Sequence, residues 1–169
     1  MSTTGSILAR VPLFQGLGPK QLEAVEAIAK TEHCSKGATI CREGDHGEVM
    51  YLLIKGTVEV SRTVTLSLSR GGVGEGEKSF ARLDAAENPA FGEMSLLESS
   101  LRGATVSAET DCTLLAITQQ DFDRLCQQDP VLGYVVIRNM ASQLSARLRR
   151  TNQDVLKLST ALSLALSRK

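Results

Sequence analysis

The spacing of apolar residues changes twice along the chain and divides it into a helical start, a strand-rich centre and a helical end. Over residues 19–30 the apolar positions recur every three or four residues, as in an amphipathic helix, behind a turn at residues 16–19. This pattern predicts one short helix at the start of the fold.

Short β-branched runs separated by turn residues follow the first helix. In one of them, Val58, Val60 and Val64 alternate with polar residues around a one-step slip, as in a half-buried strand. The runs predict strands at residues 38–41, 49–54, 57–65, 79–83, 103–108 and 112–117. About eight short strands without long helices between them predict a mainly β fold with flanking helices, an antiparallel β-roll resembling a jelly roll.

Glycines recur at every second residue over positions 71–77, which suggests a phosphate-binding loop. A loop of that kind lies between a strand and the start of a helix, whereas this segment leads into another alternating run. We therefore expect a mobile hairpin connection at residues 71–77.

The helical period returns after Thr118. Residues 119–127 predict a short helix, and Asp129 and Pro130 supply the N-cap and first-turn proline of a long helix from Val131. One face of this helix carries a continuous stripe of mainly apolar residues, here called the seam, over about 36 residues or about 54 Å. The seam consists of Ile137, Met140, Leu144, Leu148, Thr151, Val155, Leu158, Leu162 and Leu166. This seam predicts a parallel coiled coil with a second copy, although a distal helix that folds back or frays is the alternative. Residues 1–130 then form the roll and residues 131–169 the dimerisation helix of one structural unit.

Charge is balanced over the whole chain but not along it. The 19 basic residues match the 19 acidic residues, which excludes generic attraction to nucleic acid or an acidic membrane. Residues 138–169 carry seven basic residues against Asp154, so this segment is +6 and residues 1–137 are −6. Two interpretations stay open for the segment: a solvated helix face that complements an acidic body, or a basic surface that binds a partner.

Cysteine and histidine positions argue against a metal site and an enzyme. The cysteines, which form no C-x-x-C pair, are Cys34, Cys41, Cys112 and Cys126. We expect reduced structural thiols and no metal. His33 and His46 lie in no evident nucleophile context, so no catalytic residues are expected. The chain has neither a signal-like start nor a run of about 18 apolar residues, so we expect a cytoplasmic protein without a membrane segment.

Residues 91–102 are the segment best suited to binding a ligand. Gly92 allows close approach of the backbone, and a helical turn at residues 94–98 can direct free amides outward. The forked side chain of Arg102 can hold two phosphate oxygens. Glu93, which only accepts hydrogen bonds, would face a sugar hydroxyl.

At these residues the chain resembles the cyclic-nucleotide-binding domain of the catabolite activator, or cyclic AMP receptor, family. Its phosphate cassette reads F-G-E, two residues, two apolar residues, a spacer and R-x-A, and residues 91–104 follow that spacing. Residues 11–17 and 42–60 carry two more motifs of the family, in the same order. The resemblance implies a non-enzymatic sensor of a cyclic purine nucleotide, with cyclic AMP as ligand and no further cofactor.

The resemblance also implies roles for individual residues. The ribose would meet Gly92 and Glu93, and Arg147 would pair toward Glu93. Thr151 and Asn152 would read the purine edge, partly from the opposite subunit. The implied binding set is Val60 and Leu83 at the base, Phe91, Gly92, Glu93, Met94 and Ser95 in the first half of the cassette, Arg102, Gly103 and Ala104 at the phosphate, and Arg147, Thr151 and Asn152 on the long helix.

The cassette departs from the family pattern at two positions. Leu101 replaces the usual Pro, and Gly103 replaces Ser, Thr or Ala, so the hydroxyl that assists guanine recognition is missing and cyclic GMP is the less expected ligand. Residues 158–169 encode no helix-turn-helix, so the resemblance implies a stand-alone domain that signals to a separate effector by reorienting its long helix. The alternative is a scaffold with a degenerate, ligand-free pocket.

Overall fold

The computed structural model describes residues 3–67, 73–87 and 89–167, which form two four-stranded antiparallel sheets, a two-stranded sheet and helices at both ends. Helices α1 to α4 span Thr3–Leu8, Pro19–Ile28, Gln119–Gln128 and Pro130–Leu166. Strands β1 to β10 span Lys30–Cys34, Thr39–Cys41, His46–Gly47, Val49–Lys55, Thr57–Ser67, Val73–Asp84, Ala90–Phe91, Ser100–Leu101, Thr105–Ala108 and Cys112–Thr118. The sheet orders are β1-β10-β4-β7, β2-β9-β5-β6 and β3-β8. The predicted antiparallel β-roll with flanking helices is confirmed.

Strand β10 lies in the middle layer of the molecule, because it buries apolar side chains on both of its faces. Leu115 and Ile117 belong to the cluster that also contains Phe14 and residues of the helices. Leu114 points the other way and packs with Val58 of the second sheet. Burying each such side chain contributes about 1.5–3 kcal/mol. The first sheet is therefore covered by helices on one face and by the second sheet on the other.

The junction between α3 and α4 is fixed by two N-caps. The Thr118 hydroxyl accepts a hydrogen bond from the Asp121 amide at 3.1 Å, and an Asp129 carboxylate oxygen accepts one from the Leu132 amide at 3.0 Å. Hydrogen bonds from the Gln21 side chain and the Leu132 amide lower the pKa of Asp129. The sequence prediction of a short helix, a cap and a long helix is confirmed here.

Helix α4 continues well beyond the roll. Its 37 residues extend for about 55 Å. Val136 and Met140 are buried against the roll, whereas the distal part of the predicted seam is exposed, at Leu148, Val155, Leu158, Leu162 and Leu166. The helix is continuous to Leu166 and does not fold back onto the roll, so that part of the alternative is wrong. No helix of the described residues is both long and apolar enough to cross a membrane.

The start of the fold differs from the prediction of one helix over residues 19–30. Helix α1 and a 3-10 turn at Pro12–Phe14 precede α2, which ends at Ile28. Strand β1 then begins at Lys30 and pairs with β10. Strand β1 carries no pattern that predicts a strand, because four of its five side chains are exposed and apolar alternation is therefore missing.

The glycine-rich segment is a strand where the structure describes it. Gly74 pairs with Leu66 and Gly76 with Val64 along β5 and β6, so the expected loop is wrong for residues 73–77, and residues 71–72 lie outside the described residues. Glycine carries no side chain to signal a strand, and the long partner strand supplies the pairing instead. The two-residue strands β3, β7 and β8 are also not among the strands that the sequence patterns predict.

A β-bulge lies close to the predicted slip. Val60 pairs with Ala81 and Ser61 with Ser79, which leaves Phe80 as the extra residue on β6. The sequence pattern places the slip on β5, whereas the extra residue belongs to its partner strand. Bulges redirect side chains locally, and this one affects which residue of β6 reaches the functional site.

Candidate functional site

A cavity of about 630 Å³ opens at one end of the roll, between the second sheet, the 93–96 turn and helix α4. Its lining comes from strands β2, β5, β6, β7 and β9, from the segments flanking Arg102 and from α4. Side chains of both signs are present, with Arg62, Arg102 and Arg147 opposed by Glu93 alone. The lining therefore carries a net positive charge, which favours an anionic ligand.

Arg102 is held in the interior of this site rather than in bulk solvent. Its Nη1 donates to the Ser95 hydroxyl at 3.0 Å and its Nη2 to the Val49 carbonyl oxygen at 2.7 Å. The guanidinium also lies 5.9 Å from the centroid of the Tyr51 ring, within cation–π range. Both hydrogen-bond acceptors are neutral. Among the residues that the structure describes, no carboxylate forms an ion pair with Arg102.

Two glycines make room for the Arg102 side chain. A Cβ on Gly47 would overlap its Nε and Cζ atoms, and a Cβ on Gly92 would overlap Nη1. Gly92 has φ 71°, the left-handed conformation that glycine adopts without strain, and it starts the 3-10 turn at Glu93–Leu96. Residues from Gly92 to Ser95 line the cavity as a consequence of this turn.

An ion pair connects the cassette to helix α4. Arg147 contacts the Glu93 carboxylate, whose side chain is 13 % exposed while that of Arg147 is 57 % exposed. Because the arginine is largely exposed, solvent screens the attraction, and the pair contributes little stability. Its importance is positional, since it brings one point of α4 to the rim of the cavity.

Two ionisable side chains at the site, Cys41 and Tyr51, are partly buried. Burial raises the pKa of the Cys41 thiol, while the nearby Arg102 cation opposes part of that rise. Burial likewise raises the pKa of Tyr51, whose ring stacks on Phe91 with centroids 5.5 Å apart. Charges interact more strongly in such surroundings than in water, so an anion placed beside Arg102 would be held effectively.

Most residues implied by the sequence resemblance meet in this cavity. Those that line it are Val60, Phe91, Gly92, Glu93, Met94, Ser95, Arg102, Gly103, Ala104 and Arg147. Leu83 does not line the cavity: it pairs with Val58 and packs against the second core cluster. The described β6 residue that lines the cavity is instead Phe80, the extra residue of the bulge.

Thr151 and Asn152 lie on α4 beyond Arg147, and within one chain they are exposed and outside the cavity. Thr151 follows Arg147 by four residues, so it lies one helical turn, about 6 Å, further along the same helix face. A role for these residues therefore needs a bound ligand or a second chain.

Sequence reasoning missed five lining residues: Cys41, Arg62, Phe80, Leu101 and Val106. Arg62 follows Val60 by two residues, so strand alternation already placed both on one face. Phe80 could not be found this way, because its position depends on the bulge.

Comparisons with known proteins agree with this geometry. The family profile described as the cyclic nucleotide-binding domain matches residues 31–129. The chain is 32 % identical over 144 residues to the cyclic AMP receptor protein of Thermus thermophilus, which covers 85 % of this chain and 60 % of that protein. It is 33 % identical over 129 residues to a cyclic nucleotide-gated potassium channel of Mesorhizobium japonicum, covering 76 % and 32 % of the two chains.

A comparison with solved structures points to the same relatives. The crystal structure of the Thermus thermophilus catabolite activator protein matches with a TM-score of 0.71 and 32 % identity, over 88 % of this chain and 63 % of that one. The chain thus spans between one third and about three fifths of the curated relatives named above.

Proposed function

This chain belongs to the cyclic nucleotide-binding domain family, and from that premise we propose that it is a sensor that binds cyclic AMP in the Arg102 cavity and signals through α4. One observation carries the proposal: the Arg102 cation lies in a preformed cavity of nucleotide size with no carboxylate partner among the described residues. A cyclic phosphodiester is a single negative charge with two free oxygens, which suits a forked guanidinium.

Cyclic AMP is preferred over cyclic GMP in this proposal. Gly103 gives no hydroxyl beside the phosphate, and one relative is a cyclic AMP receptor protein. We expect a dissociation constant on the order of 1 μM, or about −8 kcal/mol. Isothermal titration with cyclic AMP, cyclic GMP and a cyclic dinucleotide tests this, and tighter binding of either competitor would reject the assignment.

A ligand-free scaffold is the second candidate, because Arg102 already has two acceptors, the Val49 carbonyl and the Ser95 hydroxyl. Neither acceptor balances the arginine charge, and the cavity remains open. The scaffold predicts no heat of binding for any cyclic nucleotide, so the same titration separates the two candidates.

Cys41 provides a second, independent readout of occupancy. Its thiol lines the cavity and its raised pKa reduces the reactive thiolate near neutral pH, so alkylation by iodoacetamide is slow in the free protein. Cyclic AMP at ten times its dissociation constant should slow that reaction by a further factor of about ten, by mass action. Mass spectrometry of the labelled peptides measures each cysteine separately.

Cys34 is the matched control for this labelling. Burial also raises the pKa of its thiol, but it lies on β1 and does not line the cavity. Its alkylation rate should be the same with and without cyclic AMP. Equal protection of both cysteines would point to a general stiffening of the fold, and no protection of Cys41 would contradict the proposed site.

The proposed signal is a reorientation of α4. The Arg147–Glu93 pair ties the helix to the cavity, and Thr151 lies one turn beyond it, where a purine reaching out of the cavity can contact the helix. Two copies joined along their exposed α4 seams would bring Thr151 and Asn152 of each chain close to the other chain's site. The reoriented helix would then present a changed surface to an effector protein.

Hydrogen exchange tests this step. Binding of cyclic AMP should change the protection of α4 amides around Thr151, while the amides of β1, which pairs with β10 and does not line the cavity, serve as the internal reference. Unchanged exchange around Thr151 at saturating ligand would remove the helix from the mechanism.

A further inference from the structure

We propose that Arg62 is a second phosphate-binding residue of the cavity, an inference that rests on the proposed function. Arg62 lies on β5, two residues after Val60, and both side chains line the cavity. Its Nε donates to the carbonyl oxygen of Gly103. The side chain thus reaches across from its strand to the segment that directly follows Arg102.

Arg62 occupies the space that a side chain at position 103 would need. A Cβ built on Gly103 would lie only 3.2 Å from Nη2 of Arg62. Gly103 itself has no side-chain donor to offer a ligand. A guanidinium carries five N–H donors, and the Gly103 carbonyl takes the one on Nε, so both terminal nitrogens of Arg62 can face a ligand beside Gly103.

The charges in the cavity agree with this role. Glu93 forms an ion pair with Arg147. Within residues 3–67, 73–87 and 89–167, the other two arginines of the lining, Arg62 and Arg102, form no ion pair. A cyclic phosphodiester offers two exocyclic oxygens. With Arg102 on the interior side and Arg62 on the exposed side, each oxygen gains a charged donor.

A double-mutant cycle tests the inference with cyclic AMP as the probe. Arg62→Gln should weaken binding by about tenfold or more, as expected for loss of a charge-assisted hydrogen bond. Gly103→Ser restores a hydroxyl, and Gly103 does not have a positive φ, so the backbone accepts serine. In the Arg62→Gln background Gly103→Ser should recover binding several-fold, whereas in the unsubstituted chain it crowds Arg62 and should give no gain.

Arg82→Gln is the matched control. Arg82 lies on β6, pairs with Glu109 and does not line the cavity, so its substitution removes one exposed arginine without changing the site. It should leave cyclic AMP affinity unchanged, which separates a local contact of Arg62 from a general loss of positive charge.

Each outcome of the cycle is decisive. Unchanged affinity of Arg62→Gln, or equal effects of Gly103→Ser in both backgrounds, overturns the role of Arg62. The proposed function still stands in that case if Arg102→Gln weakens cyclic AMP binding. If the unsubstituted chain binds no cyclic AMP, the proposed function fails and this inference fails with it.

Discussion

Replacing Arg102 by Gln is expected to weaken cyclic AMP binding by about 2–5 kcal/mol, a loss of thirtyfold or more. The phosphate would enter the cavity without the cation that lies between Gly47 and Gly92. Glutamine keeps some hydrogen-bonding ability but carries no charge, so the loss of affinity measures mainly the ion pair between Arg102 and the phosphate. Isothermal titration measures the change in dissociation constant directly.

Two comparisons keep this result interpretable. Arg102 also donates to the Val49 carbonyl oxygen and the Ser95 hydroxyl, so its loss is expected to lower the free energy of unfolding by about 1 kcal/mol for each bond. Thermal melting of the variant must therefore show a folded protein. Arg102→Lys keeps the charge and loses the fork, and it should bind with intermediate affinity. A folded Arg102→Gln protein with the affinity of the unsubstituted chain would remove Arg102 from the site.

The paired substitution Leu158→Asp and Leu162→Asp is expected to convert a dimer into a monomer. Leu158 and Leu162 are 70 % and 61 % exposed in a single chain, so their replacement costs that chain little packing. In a coiled coil each leucine would bury its side chain for about 1.5–3 kcal/mol, and a pair of facing aspartates would repel instead. Light scattering behind size exclusion should show a mass change from twice 18.1 kDa to 18.1 kDa.

The same two charges on the opposite helix face provide the control. Gln153→Asp and Thr160→Asp lie about half a turn away from the seam and are exposed, so this variant should remain dimeric. An unsubstituted chain that is monomeric at micromolar concentration, or a dimer that survives the leucine substitutions, contradicts the proposed pairing through α4.

The fold could be predicted where local signals and burial agree. Strand β10 is a continuous apolar run between two layers, and the caps Thr118 and Asp129 start their helices at the expected residues. Strand β1 could not be predicted, because its exposed residues carry no pattern and its strand form depends on pairing with β10. The glycine-rich start of β6 likewise gains its structure from a partner strand.

The candidate site could likewise be predicted only in part. The cassette from Phe91 to Ala104 is contiguous in sequence, so its spacing alone placed Arg102 and Glu93 together. Arg62 and Phe80 come from strands whose position over the cassette depends on topology and on one bulge. Leu83 pairs with Val58 and packs in the second core cluster, outside the lining. The implied roles of Thr151 and Asn152 stay predictions, since they depend on a ligand or on a second chain.

A crystal structure of the chain grown with cyclic AMP tests the central claim most directly. The account predicts the nucleotide in the cavity at the end of the roll, with the exocyclic oxygens of its phosphate on the guanidinium of Arg102 and its ribose at Glu93. Electron density for the nucleotide at any other place, or a phosphate in the cavity that leaves Arg102 bound only to Val49 and Ser95, would contradict it.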